Sequence, residues 1–480
     1  MNERMIARTV GLILRIEAAL LLLPAAVGAL YGEHETLYFV LTAALALAAS
    51  LLLTIKKPHT SVIYAREGFL IVALSWIALS VFGALPFYLS GEISGFVNCL
   101  FETVSGFTTT GSSILTDVES LSRGMLFWRS FTHWVGGMGV LVFALALLPM
   151  AEGRPMHILR AEAPGPSVGK LVPKMRQTAA ILYSVYLALT VLEIIFLAAG
   201  GMGLYDSVVH AFGTAGTGGF SIRNASIGAY QSPYFEWVIG IFMLLFGVNF
   251  NLFYLVLLGR IKSALKSQEL RWYLAIVAVA TAAITLNVLS LFENAGQALR
   301  TAFFQVSSII TTTGFVTTNY DLWPSFSKMI LVLLTVIGAC AGSTGGGIKV
   351  SRFVILVKSV TQEIRAMIHP RVVKNIKFEG RSVDKATADS VSVFFTTYLL
   401  VLLGSMLIVS LNGFDMTTTS TSVLTCLGNV GPGLGEVGPV GNFSAFSPLS
   451  KLVFCFDMLA GRLEIFPMLI LFTPGVWKRK

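Results

Sequence analysis

The segment FETVSGFTTTGSS, residues 101–113, decides how the rest of the chain is read. A mildly apolar run gives way to Thr108-Thr109-Thr110-Gly111. Threonine's branched Cβ disfavours helix and favours extended backbone. Glycine permits conformations closed to other residues. The predicted local structure is a short helix that stops, followed by an extended strip whose carbonyls are free.

Similar strips recur. Thr311-Thr312-Thr313-Gly314 follows FFQVSSII, Ala215-Gly216-Thr217-Gly218 follows VVHAFGT, and Gly428-Asn429-Val430-Gly431 follows TSVLTCL as the most divergent copy. The terminal glycines fall 107, 96 and 117 residues apart. One TTTG alone reads as a polar loop. Four at similar spacing, each between two apolar spans, read as four structural repeats longer than solenoid periods.

Composition sets the class. Of 480 residues, 55% are hydrophobic and 12% charged, which places the chain among polytopic membrane proteins and excludes an ordinary soluble enzyme. At about 20 apolar residues per crossing, candidate spans are 10–30, 37–55, 68–89, 125–150, 179–200, 234–258, 272–292, 327–357, 388–411 and 446–475. The first lacks a small-residue cleavage site and is read as a retained helix.

Basic residues collect in every second connection between these spans. Arg4 and Arg8 come before the first; Lys56, Lys57 and Arg66 between the second and third; Arg154, Arg160, Lys170, Lys174 and Arg176 after the fourth. Arg260, Lys262, Lys266 and Arg271 follow the sixth, and Lys358, Arg365, Arg371, Lys374, Lys377, Arg381 and Lys385 the eighth, with Lys478, Arg479 and Lys480 at the end. All fall on one side, so both termini are expected to be cytoplasmic. The net charge of +9 is then a topology signal and calls for no nucleic acid. The strips fall in the opposite, outer connections.

Those connections start with Glu92 and Ser94, Asp206, Glu293 and Asn294, or Asp415, residue types that favour helix N-termini. The apolar stretches that follow are too short to span and read as re-entrant half-helices. Each directs its partially negative C-terminal end at the membrane centre, which favours a cation. Four strips of free carbonyls around one axis form a cage able to replace a cation's hydration shell.

Cys99, Cys340, Cys426 and Cys455 lie in or beside apolar segments without ligand spacing and read as buried free thiols. His133, in FTHWVGGMG beside Gly136 and Gly139, reads as a packing histidine on a closely packed helix. The eighth span is too long for one crossing and contains GACAGSTGGGIKV. A phosphate loop needs Lys directly after Gly and then Ser or Thr; here Ile348 precedes Lys349, Val350 follows it, and no strand comes before. The stretch is instead an unwound membrane segment lining a cavity, made mobile by Gly342, Gly345, Gly346 and Gly347. Arg462 lies deep in the last span, with Glu464 two residues on. An intramembrane charge marks a functional site, and positions i and i+2 do not face each other on a helix.

FETVSGFTTTGSS, HWVGGMG, TAGTGGFS, TTTGFVTTNYD, GACAGSTGGGIKVSR, LGNVGPG and AGRLEIFP together resemble the Trk/Ktr/HKT superfamily of potassium transporters, of the bacterial TrkH type, over the whole chain. The resemblance implies an all-α polytopic membrane protein. Two N-terminal helices (1–60) come before four helix–pore loop–helix repeats (61–165, 166–265, 266–375 with a broken second helix, and 376–480) around a pseudo-fourfold pore. It implies a homodimer in the bacterial inner membrane. It also implies a cytosolic, nucleotide-binding regulatory partner of the TrkA kind and no cofactor on this chain, with K⁺ as the transported ion. The carried-over filter residues are Thr109, Thr110, Gly111, Gly216, Thr217, Gly218, Thr312, Thr313, Gly314, Asn429, Val430 and Gly431. The gate would be the 338–347 stretch with Lys349 and Arg462 as charged neighbours. Glycine in all four strips resembles the K⁺-selecting members.

Two other classes compete. A Na⁺- or H⁺-coupled transporter of a small solute predicts paired acids inside spans and inverted half-repeats. Glu17, Glu193 and Glu464 are the acids at suitable depth, and the repeats run in one orientation. A membrane enzyme would need a nucleophile and base, and the sequence offers no such constellation.

Overall fold

The computed structural model of the chain describes residues 2–56, 64–139, 175–371 and 376–477. Its N-terminal extension is a kinked span, Glu3–Leu30, and a returning helix, Thr36–Thr54. The kink falls at Leu21, where Pro24 has no N–H to give the Leu20 carbonyl.

Each repeat opens with an outer helix: Ala65–Ser90, Met175–Ala199, Gln268–Val288 and Lys385–Val409. A pore helix follows: Phe96–Phe107, Leu204–Gly216, Ala295–Ile310 and Met416–Gly428. At 12 to 16 residues these run about 18–24 Å, short of the about 30 Å of a bilayer's hydrocarbon core. An inner helix comes third: Arg123–Gly137, Pro233–Phe246, Ser325–Ile337 and Pro448–Arg462. Every pore helix packs on its own outer helix and on the inner helix of the preceding repeat. Inner helix 4 packs on pore helix 1, so the four repeats close into a ring.

Two of the expected helix starts hold. Asn294 accepts from the Gln297 amide and Asp415 from those of Thr417 and Thr418. Hydrogen bonds from the Thr418 hydroxyl, then from the amides, hold the Asp415 carboxyl below the ordinary aspartate range. Its cap is therefore formed at neutral pH and is lost as pH falls through the folded-state value. The other two starts differ. Gly95, at φ 81°, precedes pore helix 1, while Glu92 reaches across to accept from the Ser122 amide and hydroxyl. Asp206 sits in the first turn of pore helix 2 and accepts from the Tyr230 hydroxyl at 2.6 Å.

Ten candidate spans were expected, the eighth of them broken. Six described helices are long and apolar enough to cross, or seven if one bent pair counts as a single span. The inner helices account for the difference, because the described ones all stop part-way. Helix Arg123–Gly137 ends before Gly139, and the rest of the expected 125–150 span, with the basic residues from Arg154 to Lys174, lies outside the described residues. The 234–258 span turns by 93° at 247–249, where the Asn249 side chain caps a new helix. The 446–475 span breaks at 463–465, where Glu464 and Ile465 take φ of 55° and 69°. Pro467 cannot donate to the Leu463 carbonyl there. The 327–357 span is broken as predicted, over 338–349. Hydropathy misses the other breaks because apolar residues flank them.

A buried ion pair locks pore helix 1 to inner helix 1. Glu102 accepts from Arg129 Nη2 at 2.7 Å and Nε at 2.8 Å, from the Ser113 hydroxyl at 3.0 Å and from the Ile114 amide at 3.0 Å. Replacing either partner alone leaves an uncompensated buried charge, at a cost of about 3–5 kcal/mol. Glu102→Gln and Arg129→Met should each lower the thermal stability of the detergent-purified protein. The double variant should lose less than the two single losses added, as contacting residues do; additive losses would show that the pair is not coupled.

Candidate ion-permeation site

The four pore helices end in the same way. Thr109, Thr217, Thr312 and Asn429 have φ of 55°, 54°, 60° and 54°. Their amides return to the carbonyls of Gly106, Thr214, Ile309 and Cys426, and the next amides to those of Ser105, Gly213, Ser308 and Thr425. This is the paired hydrogen bonding of a Schellman C-cap with its left-handed residue. That position normally takes glycine or asparagine, and a β-branched residue there is an outlier. Three threonines held in it mark a backbone fixed by its surroundings.

This common geometry sets the register. Two residues after each left-handed position comes a glycine with φ of 75–95°: Gly111, Gly219, Gly314 and Gly431. The second strip is therefore Gly216-Thr217-Gly218-Gly219, one residue later than its sequence reading. Two adjacent glycines hid the shift, since either could match the end of TTTG.

The strips touch in cyclic order. A Cβ on Gly111 would collide with the Gly218 carbonyl, one on Gly219 with the Thr313 carbonyl, and one on Gly314 with the Val430 carbonyl. A Cβ on Gly431 would lie 2.7 Å from the Thr110 carbonyl, which closes the ring. Thr109, Thr110, Thr217, Thr312, Thr313, Asn429 and Val430 are fully buried. At the glycine end of the strips, a cavity of about 190 Å³ is lined by all four of these glycines together with Arg129 and Arg223.

The 338–349 loop lies at the other end. The Gly346 amide donates to the Thr312 hydroxyl at 2.6 Å and the Gly347 amide to the Gly428 carbonyl at 3.0 Å. Around the bend in the second repeat, Cys340 donates to the Gly247 carbonyl and Thr344 to that of Phe246, while the Gly342 carbonyl accepts from Phe250. Glu269, which sequence reading missed, accepts from the Ala341 and Ser351 amides at 2.7 and 3.1 Å. Much of the unwound backbone is thus satisfied by protein groups. Its glycines answer to close approach: a Cβ on Gly346 would lie 2.7 Å from the Gly428 carbonyl, and one on Gly345 2.9 Å from that of Thr311.

Arg462 reaches a carbonyl cluster, as its five donors suit it to do. It donates to Thr344 O at 2.7 Å, Gly136 O at 2.5 Å and Gly137 O at 2.6 Å, and to the Thr109 hydroxyl at 3.3 Å. One of these acceptors belongs to the loop and two to the end of inner helix 1. Lys349 Nζ bonds the Gly345 carbonyl. Glu464 does not face Arg462; it pairs with Arg352, whose guanidinium also sits 4.1 Å from the Phe394 ring centre. The four cysteines are buried, with free thiols.

The sequence model of the TrkH cation transport protein family matches residues 38–478. The chain is 38% identical to the Trk system potassium uptake protein TrkH of Salmonella typhimurium, over 100% of both chains. It is 33% identical to the Trk system potassium uptake protein TrkG of Escherichia coli, over 99% of both. The structure matches the crystal structure of the potassium transporter TrkH from Vibrio parahaemolyticus with a TM-score of 0.91, at 34% identity and full coverage of both chains. With helix-ring architecture and sequence in agreement over its whole length, this multi-pass membrane protein belongs to the TrkH family of cation transport proteins.

Proposed function

We propose that the chain is the membrane subunit of a potassium uptake system, with the four strips as its selectivity filter. The carrying observation is the closed ring of four equivalent strips, each ending a half-helix and each opening onto one cavity through its glycine. In the corrected register K⁺ binds the carbonyls of Thr109, Thr110, Thr217, Gly218, Thr312, Thr313, Asn429 and Val430, which replace its hydration shell, and Gly216 falls outside the set. The printed names of the relatives support this ion.

The 338–349 loop is the gate in this reading, held against the threonine end of the filter by Thr312, Gly428 and Arg462. The protein forms a homodimer in the bacterial inner membrane, with both termini cytoplasmic. A cytosolic, nucleotide-binding regulator of the TrkA kind acts on the loop. Coupled transport of another solute is the weaker reading, since the buried acids Glu17 and Glu193 lie on different helices, in the N-terminal extension and the second repeat.

Gly111→Ser should lower the K⁺ over Na⁺ permeability ratio, because a side chain at φ 80° meets the Gly218 carbonyl. Reversal potentials in mixed K⁺ and Na⁺ measure it, and an unchanged ratio in the folded variant would refute the filter assignment. Arg462→Ala removes a charge-assisted bond on the loop worth about 1.5–3 kcal/mol. That shifts the closed-to-open ratio by about one to two orders of magnitude. Flux in liposomes without regulator should rise in Arg462→Ala and on deletion of Gly345, Gly346 and Gly347, with selectivity kept. Wild-type or lower flux in both would leave Arg462 a structural group. For the regulator, Lys377 on the described hairpin Ile376–Val383 is the crosslinking position, Lys374 lying outside the described residues. Crosslinks to a co-purified cytosolic subunit are expected; crosslinks to lipid alone would count against the contact.

A further inference from the structure

Strips 1 and 3 brace themselves with paired threonines. The Thr108 and Thr110 hydroxyls meet at 2.8 Å, and so do those of Thr311 and Thr313. Thr108 and Thr311 also donate to the helix carbonyls of Val104 and Ser307, both at 2.6 Å. These bonds tie each strip to the pore helix it leaves. In strip 2 the matching positions are Gly216 and Gly218, which carry no side chain. The hydroxyl of Thr217, between them, donates to the adjacent Gly216 carbonyl and, among the described residues, to nothing further back on the pore helix.

The space left by the two missing side chains is filled by His133 of inner helix 1. A Cβ on Gly218 would fall on its imidazole, and one on Gly216 on its backbone carbonyl. His133 is fully buried, with its ring 4.2 Å from that of Phe220. Nδ1 lies 2.8 Å from the Gly106 carbonyl, and Nε2 takes the Phe220 amide at 3.3 Å. An acceptor at Nε2 and a carbonyl at Nδ1 select the neutral Nδ1–H tautomer. Gly106 O also accepts the amide of Thr109, the left-handed residue of strip 1. Phe220 directly follows Gly219, the ring glycine of strip 2. One imidazole thus joins the start of strip 1 to the exit of strip 2.

We propose that His133 is the positioning residue of strip 2, substituting for the threonine pair, and through that strip a determinant of ion specificity. The inference rests on the filter reading above. Specificity depends on where the carbonyls sit and how firmly they are held. A strip of three glycines around one threonine has the freest backbone of the four. Without an external brace its carbonyls relax toward whichever ion is present. Strip 4 solves the same problem differently, with the Asn429 amide on the Thr110 hydroxyl at 3.0 Å and the Met458 carbonyl at 2.8 Å.

The test is a substitution cycle between residues 133 and 218, read as the K⁺ over Na⁺ flux ratio in liposomes, with Gly111→Ser alongside. His133→Ala should lower the ratio at least about fivefold, the effect of losing one net hydrogen bond. His133→Asn, whose amide lies near the Nδ1 position, should keep the Gly106 bond and fall between Ala and wild type. Gly218→Thr alone should abolish selective flux, since its side chain meets the imidazole. Gly218→Thr combined with His133→Ala should recover selectivity beyond either single variant, because the new side chain enters the vacated space. A merely structural histidine would lower yield and total flux while leaving the ratio fixed, and that result overturns the proposal. A double variant no better than Gly218→Thr overturns it too, and decides the matter if His133→Ala does not fold. If Gly111→Ser also leaves the ratio intact, the filter reading itself has failed. If Gly111→Ser lowers the ratio and His133→Ala does not, only the brace has failed.

Discussion

Irregular backbone cannot stand in hydrocarbon. Each unpaired amide or carbonyl at membrane depth costs several kcal/mol, so such backbone survives only where protein or water covers it. Four strips that leave the helical ladder inside a ring of apolar helices are the constraint this chain is built to meet. The Schellman caps take up two amides per strip. The pore helices shield the strips on the side they enter from, and the inner helix of the preceding repeat closes the flank. The outer helices and the N-terminal pair show apolar faces outward, with Leu45, Leu52, Leu286 and Leu400 exposed. Such faces suit lipid contact.

What could be read from sequence follows from this. Residues whose backbone must leave the helix announce themselves by composition, and so Thr108–Gly111 and Thr311–Gly314 stand out. So does the glycine cluster of the third repeat. Arg462 was legible as a functional charge beside the unwound stretch, because a guanidinium within an apolar span must find partners. Its actual partners were not. Gly136, Gly137 and Thr344 come from repeats 1 and 3, and nothing local to Arg462 encodes them. The same holds for Glu464, two residues from one arginine yet paired with another. Register failed where chemistry was thinnest. Gly216, Gly218 and Gly219 carry no side chains to distinguish strip from cap, and only backbone angles assign them.

The pseudo-symmetry is one of backbone more than of side chains. All four strips share φ values and cap bonds, yet each is braced by different groups: hydroxyl pairs in strips 1 and 3, an imidazole in strip 2, an amide in strip 4. A ring of carbonyls needs the backbone repeated and nothing more, so side chains behind it are free to diverge if each fills its space. Glu102 and Arg129 show the same freedom. Arg129 also donates to the Ser221 carbonyl and lies over the Phe220 ring, so an ion pair within repeat 1 steadies the exit of strip 2.

Below the ring the inner helices diverge: the third breaks over 338–349, while the breaks at 247–249 and 463–465 are short. The short breaks still have a use. A helix that stops leaves carbonyls without intrahelical donors. The carbonyls of Gly137, Phe246 and Gly247 are taken by Arg462 and by the amides of Cys340 and Thr344, and that of Gly136 is shared between Arg462 and the Gly139 amide. A helix continuing through 247–249 in repeat 2 would have kept the Phe246 and Gly247 carbonyls for itself and left the loop amides of Thr344 and Cys340 without them. The helix end at Gly137 and the bend at 247–249 are therefore the condition on which a loop of irregular backbone rests beneath the ring, within reach of Thr312 and Gly428.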